Sequence, residues 1–291
     1  PFPDGINGEK YALVIVDAAT NEMAVYYLKT KHATQVRECF DRFLRENQRR
    51  LDACRSAGYD VTWRTDNGGE FTSADLDEFC EEFAVKRSFS VPYAPQLNAH
   101  AERMWGILLR MVRTTLAESH ISERFWTYAM DNAVMLHNSL PSEKHEKYVS
   151  PHQAATGQLP DLGRFRVFGC IVWYFLPPHE RTSKLGPRAL PAVNLGCNPN
   201  GPGWIVYVPQ LNRITTLIHG TFQEQRFMRF KDSADHRHPV EGVPLTPEAI
   251  APPRRERRRG NGGEDEPGRF GGLEPDDPNE IEAPLFDDDP P

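Results

Sequence analysis

Two acidic residues, Asp66 and Glu102, with thirty-five residues between them, bound the most chemically suggestive stretch of the chain. The first lies in Val61-Thr62-Trp63-Arg64-Thr65-Asp66-Asn67-Gly68-Gly69-Glu70-Phe71. That run reads as a strand delivering a carboxylate into a tight Asn-Gly-Gly turn. The second follows Pro92-Tyr93-Ala94-Pro95-Gln96-Leu97-Asn98, a Pro-punctuated loop that runs into a helix with Glu102 near its start. Carboxylates supply the hard oxygen ligands that Mg²⁺ takes alongside water and substrate phosphate. Two such ions roughly 3.5–4 Å apart can stabilise both the attacking and the leaving oxygen of a phosphoryl transfer. Either acid alone is more simply a turn or surface residue; the pair, on those elements, points to metal-assisted phosphoryl chemistry.

The elements that must carry these acids follow from periodicity. Tyr11–Val16 and Met23–Leu28 read as strands joined by a hairpin over Asp17–Asn21. His32–Glu46 is helical, with Val36, Cys39, Phe40, Phe43 and Leu44 facing a core, and Arg45–Tyr59 is polar and ends at a Gly. Ser73 caps a helix through Glu82, and Val85–Phe89 is a short strand. The helix from Ala99 to Ser119 has an apolar stripe of Trp105, Leu108, Leu109, Val112 and Leu116. Glu102, Gly106, Arg110 and Arg113 share a wheel face beside that stripe. Ser122–Ser139 is a further helix whose His137 reads as a packing residue. From Val167 to Phe227 short strands broken by Pro and Gly give a small β-rich module.

With 291 residues the chain has room for one large or two modest domains. It contains no apolar run near the ~20 residues of a membrane-spanning helix, and its start has no signal-peptide pattern. Five scattered cysteines (39, 54, 80, 170 and 197), with no Cys-x-x-Cys pair, imply reduced thiols in an intracellular protein and no zinc in this chain. The net charge of −7 hides an asymmetry. Residues 232–291 hold seven Arg against sixteen Asp and Glu, leaving 27 basic and 25 acidic residues in 1–231. That acidic, Pro- and Gly-rich tail is expected to be disordered. Its Arg254–Arg259 cluster reads as a solvated charge run, with a nuclear-import or nucleic-acid patch as the other reading.

The motifs T-D-N-G-G-E-F (65–71) and P-Y-A-P-Q-L-N-A-H-A-E-R (92–103) resemble the D,D(35)E core of retroviral and retrotransposon integrases. The likeness is strongest to the copia-type LTR retrotransposons. Phe125-Trp126 with His137-Asn138-Ser139-Leu140-Pro141, Lys184-Leu185-Gly186-Pro187-Arg188-Ala189 and Gly203-Trp204-Ile205-Val206-Tyr207 extend it over residues 8–229.

The resemblance implies an α/β fold: a ribonuclease-H-like core, with a mixed five-stranded sheet flanked by helices, then the β-rich module and the tail. The corresponding divisions are 1–145, a connector at 146–164, 165–231 and 232–291. It further implies 3′-end processing and strand transfer into target DNA, with Mg²⁺ or Mn²⁺ held by Asp66 and Glu102. Tyr93, Gln96 and Asn98 would belong to a DNA-touching loop, and Arg103, Arg110 and Arg113 would meet phosphates. Double-stranded DNA and a homo-oligomer are the implied partners, without a membrane, in the nucleus after a cytoplasmic particle stage. The family's third acid precedes the strand at Tyr11–Val16 and is expected just upstream of Pro1, with Asp17 and Asp4 as stand-ins. Asn98-Ala99 replaces the family's Asn-Gly, and its His/Cys zinc module is absent. The alternatives are a catalytically incomplete or domesticated DNA-binding remnant, and a ribonuclease-H-type nuclease, which the loop and module motifs disfavour.

Overall fold

The computed structural model describes residues 1–65, 68, 71, 74–89, 99–142 and 148–228. The first strands, β1 (Tyr11–Val16) and β2 (Met23–Leu28), pair antiparallel with Val14 opposite Val25. Their hairpin is closed by Asp17, whose backbone carbonyl accepts from the Asn21 amide at 2.8 Å. Asn21 takes a positive φ of 62°, which Asn tolerates better than most residues. Helix α1 (Ala33–Ser56) packs Val36, Phe40, Phe43 and Leu44 against this hairpin. The helix continues through the polar stretch after Glu46. Its exposed side is laced by the i,i+4 pairs Arg45–Asp41 and Arg42–Glu46, worth a few tenths of a kcal/mol each.

Strand β3 (Val61–Thr65) pairs in parallel with β4 (Val85–Phe89), Trp63 opposite Arg87, with α2 (Ala74–Glu82) between them in sequence. Phe40 stacks on Trp63 at 4.1 Å between ring centroids, joining α1 to this second pair. The α/β class is the expected one, but the sheet differs in detail. Among the described residues the four strands form two separate pairs, β1–β2 and β3–β4. Tyr11, Leu13 and Ile15 of β1 and Val61 and Trp63 of β3 nevertheless line one apolar cluster. Side-chain packing joins the two pairs where backbone hydrogen bonds do not.

Helix α3 (Ala99–Ser119) begins and ends where its periodicity predicts, but its buried line is Met104, Leu108 and Val112. Trp105, Leu109 and Leu116 of the expected stripe are half-buried beside it. The stripe is shifted because the helix packs on two neighbours, α4 and β1, so its apolar arc is wider than a single-contact helix needs.

A 3₁₀ turn over Glu123–Phe125, capped by the Ser122 hydroxyl, precedes α4 (Trp126–Ser139), so the expected continuous helix is two elements. Trp126, Thr127, Ala129, Met130, Asn132, Ala133 and Val134 are all buried. A helix enclosed on several sides is part of the core rather than its surface. The short helix α5 (Pro151–Thr156) follows, N-capped by Ser150 and ended by Gly157 in the left-handed conformation.

The module's strands are β5 (Cys170–Phe175), β6 (Ala189–Cys197), β7 (Trp204–Val208), β8 (Arg213–Leu217) and β9 (Thr221–Phe227). They form one antiparallel sheet ordered β8-β7-β6-β5-β9. Arg213 closes it at one edge, donating to both Glu180 carboxylate oxygens at 2.9 and 3.0 Å and to the Tyr174 hydroxyl at 2.8 Å. Phe168, Ile171, Val193, Leu195 and Tyr207 belong to the same buried cluster as α3 and α4. Gly169 shows how close the approach is. Its φ is 79°, its N–H donates to the Asn194 carbonyl at 2.7 Å, and a Cβ there would lie 2.2 Å from that of Ser119.

All five cysteines are free thiols, and only Cys54 is exposed. Burial pushes the Cys170 thiol up to about 12 and that of Cys39 to about 11, and raises Cys80 and Cys197 as well. No helix among the described residues is long and apolar enough to cross a membrane.

Between β2 and α4 lies an ionisable contact. The Tyr27 hydroxyl donates to Asp131 Oδ1 at 2.6 Å and also lies 2.7 Å from the Thr127 carbonyl oxygen. One hydroxyl proton faces two acceptors, an arrangement that a protonated Asp131 completes by donating in its turn. Desolvation raises the Asp131 carboxyl from 3.8 to about 6, with the Tyr27 bond and Arg42 opposing and Glu9 assisting. A raised acid in the folded state contributes stability that is fully present below 3.8 and lost as pH rises through about 6. Asp131→Asn keeps a donor for Tyr27 and cannot ionise. The wild type should therefore lose stability relative to Asp131→Asn between those pH values, as read by urea midpoints of both proteins.

Candidate active site

The strand β3 ends at Thr65, so the chain delivers Asp66 as the next residue. Asp66 itself lies outside the described residues, as do Tyr93, Gln96 and Asn98. The geometry available is that of the elements on either side of them. Phe71, five residues beyond Asp66, bonds its N–H to the Gly68 carbonyl at 2.9 Å and sits 6.3 Å from the Phe40 ring. On the other side Glu102 occupies the first turn of α3. Its side chain is exposed, and no ion pair among the described residues engages it. An acid in a first turn also suits the partial positive charge of a helix N-terminus.

These two neighbourhoods converge. Phe71, downstream of Asp66, and Trp105, one turn after Glu102, line the same cavity of about 350 Å³ with Phe2, Tyr11, Leu13 and Val36. Trp105 is held there edge-on to Phe2 at 6.1 Å, and Phe2 stacks on Trp126 at 4.3 Å. The floor under α3 is thus tied to the rigid α4.

Arg103, Arg110 and Arg113 are all exposed on α3. Arg110 Nη1 lies 3.9 Å from where a Cβ on Gly106 would be, so its side chain folds back toward the first turn of the helix. Arg103 lines a separate cavity of about 580 Å³ with His100, Met104, Ile107, His137 and Asn21. His137 bonds the Asn21 carbonyl through Nε2 at 3.0 Å, tying α4 to the β1–β2 hairpin, a packing role.

The stand-in acids are engaged elsewhere. Asp17 Oδ1 accepts from the Ala19 amide and Oδ2 from the Thr20 hydroxyl, both at 2.9 Å, and Arg50 lies 4.0 Å away. Asp4 pairs with Lys10 at 3.3 Å on the surface. Among the described residues no three His, Cys, Asp or Glu side chains gather as a metal site. The donor chemistry of Asp66 and Glu102, hard carboxylate oxygens, still suits Mg²⁺ or Mn²⁺.

Arg87, on β4, went unremarked in the sequence. It donates one guanidinium nitrogen to the Phe71 carbonyl and another to the Asp77 carboxylate. The available signal was alternation: a charged residue between Val85 and Phe89 on one strand face, where an apolar one is the norm.

Comparison with known proteins defines the class. Residues 2–95 match the family model of the integrase core domain, and residues 170–236 that of the retroviral polymerase SH3-like domain. The chain is therefore of the retroviral-type integrase class, an integrase core followed by an SH3-like module. Within that class it groups with the integrases of LTR retrotransposons.

It is 29% identical over 236 residues to the retrovirus-related Pol polyprotein from transposon TNT 1-94 of Nicotiana tabacum, covering 80% of this chain and 17% of that one. To the Pol polyprotein from transposon RE1 of Arabidopsis thaliana it is 31% identical over 222 residues, covering 75% and 14%. To a Ty1 Gag-Pol polyprotein of Saccharomyces cerevisiae it is 26% identical over 203 residues, covering 70% and 11%. The chain thus spans under a fifth of these relatives. Among solved structures, it aligns with the catalytic core domain of BIV integrase at TM-score 0.38 and 16% identity, covering 50% of this chain and 85% of that one. A simian T-cell lymphotropic virus intasome aligns at TM-score 0.42 and 16% identity, covering 79% and 75%.

Asp17 has a structural task that mutation can expose. Asp17→Ala should cost about 1 kcal/mol of stability, the worth of the lost side-chain hydrogen bonds. Chemical denaturation of the variant beside the wild type measures it.

Proposed function

We propose that this chain is the catalytic region of an LTR-retrotransposon integrase, carrying out metal-dependent 3′-end processing and strand transfer on double-stranded DNA. The observation that carries the reading is the shared cavity of Phe71 and Trp105, which brings the element after Asp66 to the helix bearing Glu102. The integrase-core match over residues 2–95 supports it independently.

In this reading Asp66 and Glu102 hold a divalent cation, Mg²⁺ or Mn²⁺. When bound, the cation supplies Lewis-acid stabilisation of charge on the reacting phosphate oxygens. The chain's own groups position the DNA. Tyr93, Gln96 and Asn98 contact it near the scissile phosphate, while Arg103, Arg110 and Arg113 take phosphates along α3. Water is the nucleophile when the ends are trimmed, and the freed 3′-hydroxyl is the nucleophile when they are joined to target DNA. No side chain enters a covalent intermediate. A homo-oligomer working in the nucleus, after a cytoplasmic particle stage, completes the proposal.

The acids are tested by Asp66→Asn and Glu102→Gln in a strand-transfer assay on the full integrase containing this region. Either change should reduce turnover at least a hundredfold while DNA affinity holds. Asp17→Asn should retain most of the activity; its loss there, with Asp66→Asn active, would sink the assignment.

The arginines are tested separately. Changing Arg110 and Arg113 together to Ala should weaken DNA binding alike for all sequences. It should also flatten the dependence of log affinity on log salt by about one unit per lost phosphate contact. An unaltered slope would mean these side chains do not meet DNA.

A further inference from the structure

The cavity of about 580 Å³ bounded by α3, α4 and the β1–β2 hairpin has a chemical character of its own. Its α3 wall is His100, Arg103, Met104 and Ile107, the i, i+3, i+4, i+7 spacing of one helix face. Glu102 precedes Arg103 by one residue and so lies about 100° round the helix from it. Across the cavity stands His137 of α4, and Asn21 of the hairpin completes the lining. Arg103 is exposed whereas Met104 is buried, which gives the cavity a charged rim and an apolar floor.

No acidic residue lines this cavity, and the acids of the adjoining hairpin are engaged by other groups. Asp17 accepts from Ala19 and Thr20, while Glu22 pairs with Arg50 and lies 3.5 Å from His152. The guanidinium of Arg103 stays charged at any working pH, so the cavity favours an anion. Its walls are fixed in advance. His137 Nε2 lies 3.0 Å from the Asn21 carbonyl oxygen, which can only accept, so that nitrogen donates. Asn138, the next residue, brackets the backbone of Met23 with bonds of 2.9 and 2.8 Å.

The volume is that of a small-ligand site. A bare anion would leave the apolar floor unused, whereas a nucleotide satisfies both halves. Its phosphate suits the planar fork of an arginine, and its base offers a flat face to imidazole and apolar side chains. A base stacked within a duplex cannot enter a concave site, but an unpaired one can. We propose that this cleft binds one unpaired nucleotide of a DNA strand. Arg103 takes the phosphate, and the base lies against the imidazoles of His100 and His137 above Met104 and Ile107. The inference rests on the reading of the chain as acting on DNA. It adds a site for single-stranded DNA and gives Arg103 a task different from that of Arg110 and Arg113.

The test compares the affinity of the whole chain for a labelled single-stranded thymidine oligomer and for a duplex of equal length, by fluorescence anisotropy. Ile107→Trp, which fills the cleft without altering its charge, should weaken single-strand binding about tenfold and duplex binding by less. Arg103→Gln should lower the single-strand preference in the same way. Arg110→Gln, on the neighbouring face of α3, should weaken both forms alike and keep their ratio. A 5-iodouracil within the oligomer should photo-cross-link to the stretch from His100 to Ile107 or to His137. Unaltered single-strand affinity in both cleft variants, or cross-links confined to other segments, would overturn the site while the duplex reading stands. A wild-type chain that binds neither form of DNA would instead remove the DNA reading, and this inference with it. Should Ile107→Trp fail to fold, Arg103→Gln at its exposed position and the wild-type cross-link still decide the matter.

Discussion

The enclosure of α4 is the constraint from which the rest of the structure follows. One of its sides meets β2, where Tyr27 reaches Asp131 and the Thr127 carbonyl, and Asn138 brackets the backbone of Met23 at 2.9 and 2.8 Å. Another meets the module, where a Cβ at Gly196 would lie only 3.2 Å from Asn132 Oδ1. A third packs on α3, and the Trp126 indole N–H donates to the Pro3 carbonyl at 2.9 Å. A helix so placed contributes large buried area per residue, about 25 cal/mol for each Å² of apolar surface removed from water. It also fixes three neighbours, β2, α3 and the module, against one another.

Exposure of one face of α3 is the counterpart of that enclosure. Because Met104, Leu108 and Val112 are committed to the core, the opposite face of α3 is free to present Glu102, Arg110 and Arg113. Burial and presentation are set by one helical period. A residue inserted between Met104 and Glu102 would rotate the acid about 100° from its present direction while leaving the anchored side in place. The direction of Glu102 is therefore set by the same packing that sets the core.

Local periodicity made much of this legible. The limits of β1, β2, β3, β4 and α3 follow from the alternation or 3.6-residue spacing of their apolar residues, since each packs on one dominant face. The pattern failed where a residue answers to two neighbours. Met104 joined the core, and Trp105 became only half-buried, because α3 contacts both α4 and β1. The second half of α1 carries few apolar residues, so its helicity rests on ion pairs and on Leu51 at the edge of a cluster. The contacts of Arg87 were hidden for a different reason. Its partners are a backbone carbonyl and an acid on another element, and no local spacing reports a contact of that kind. Asp66 and Glu102 were singled out by motif and spacing; Asp66 and the loop at 91–98 lie outside the described residues.

The distribution of thiols has a practical side. Four of the five are withdrawn from thiolate chemistry at neutral pH by their apolar surroundings, which hold the proton on sulfur, while Cys54 stands exposed near the end of α1. The molecule thus comes with a native attachment point at the end of α1. A maleimide dye or spin label placed there would report on the α1 end of the fold without any engineered cysteine. Because Cys80, Cys170 and Cys197 are buried, the uptake of labels by these three over time becomes a clock for unfolding.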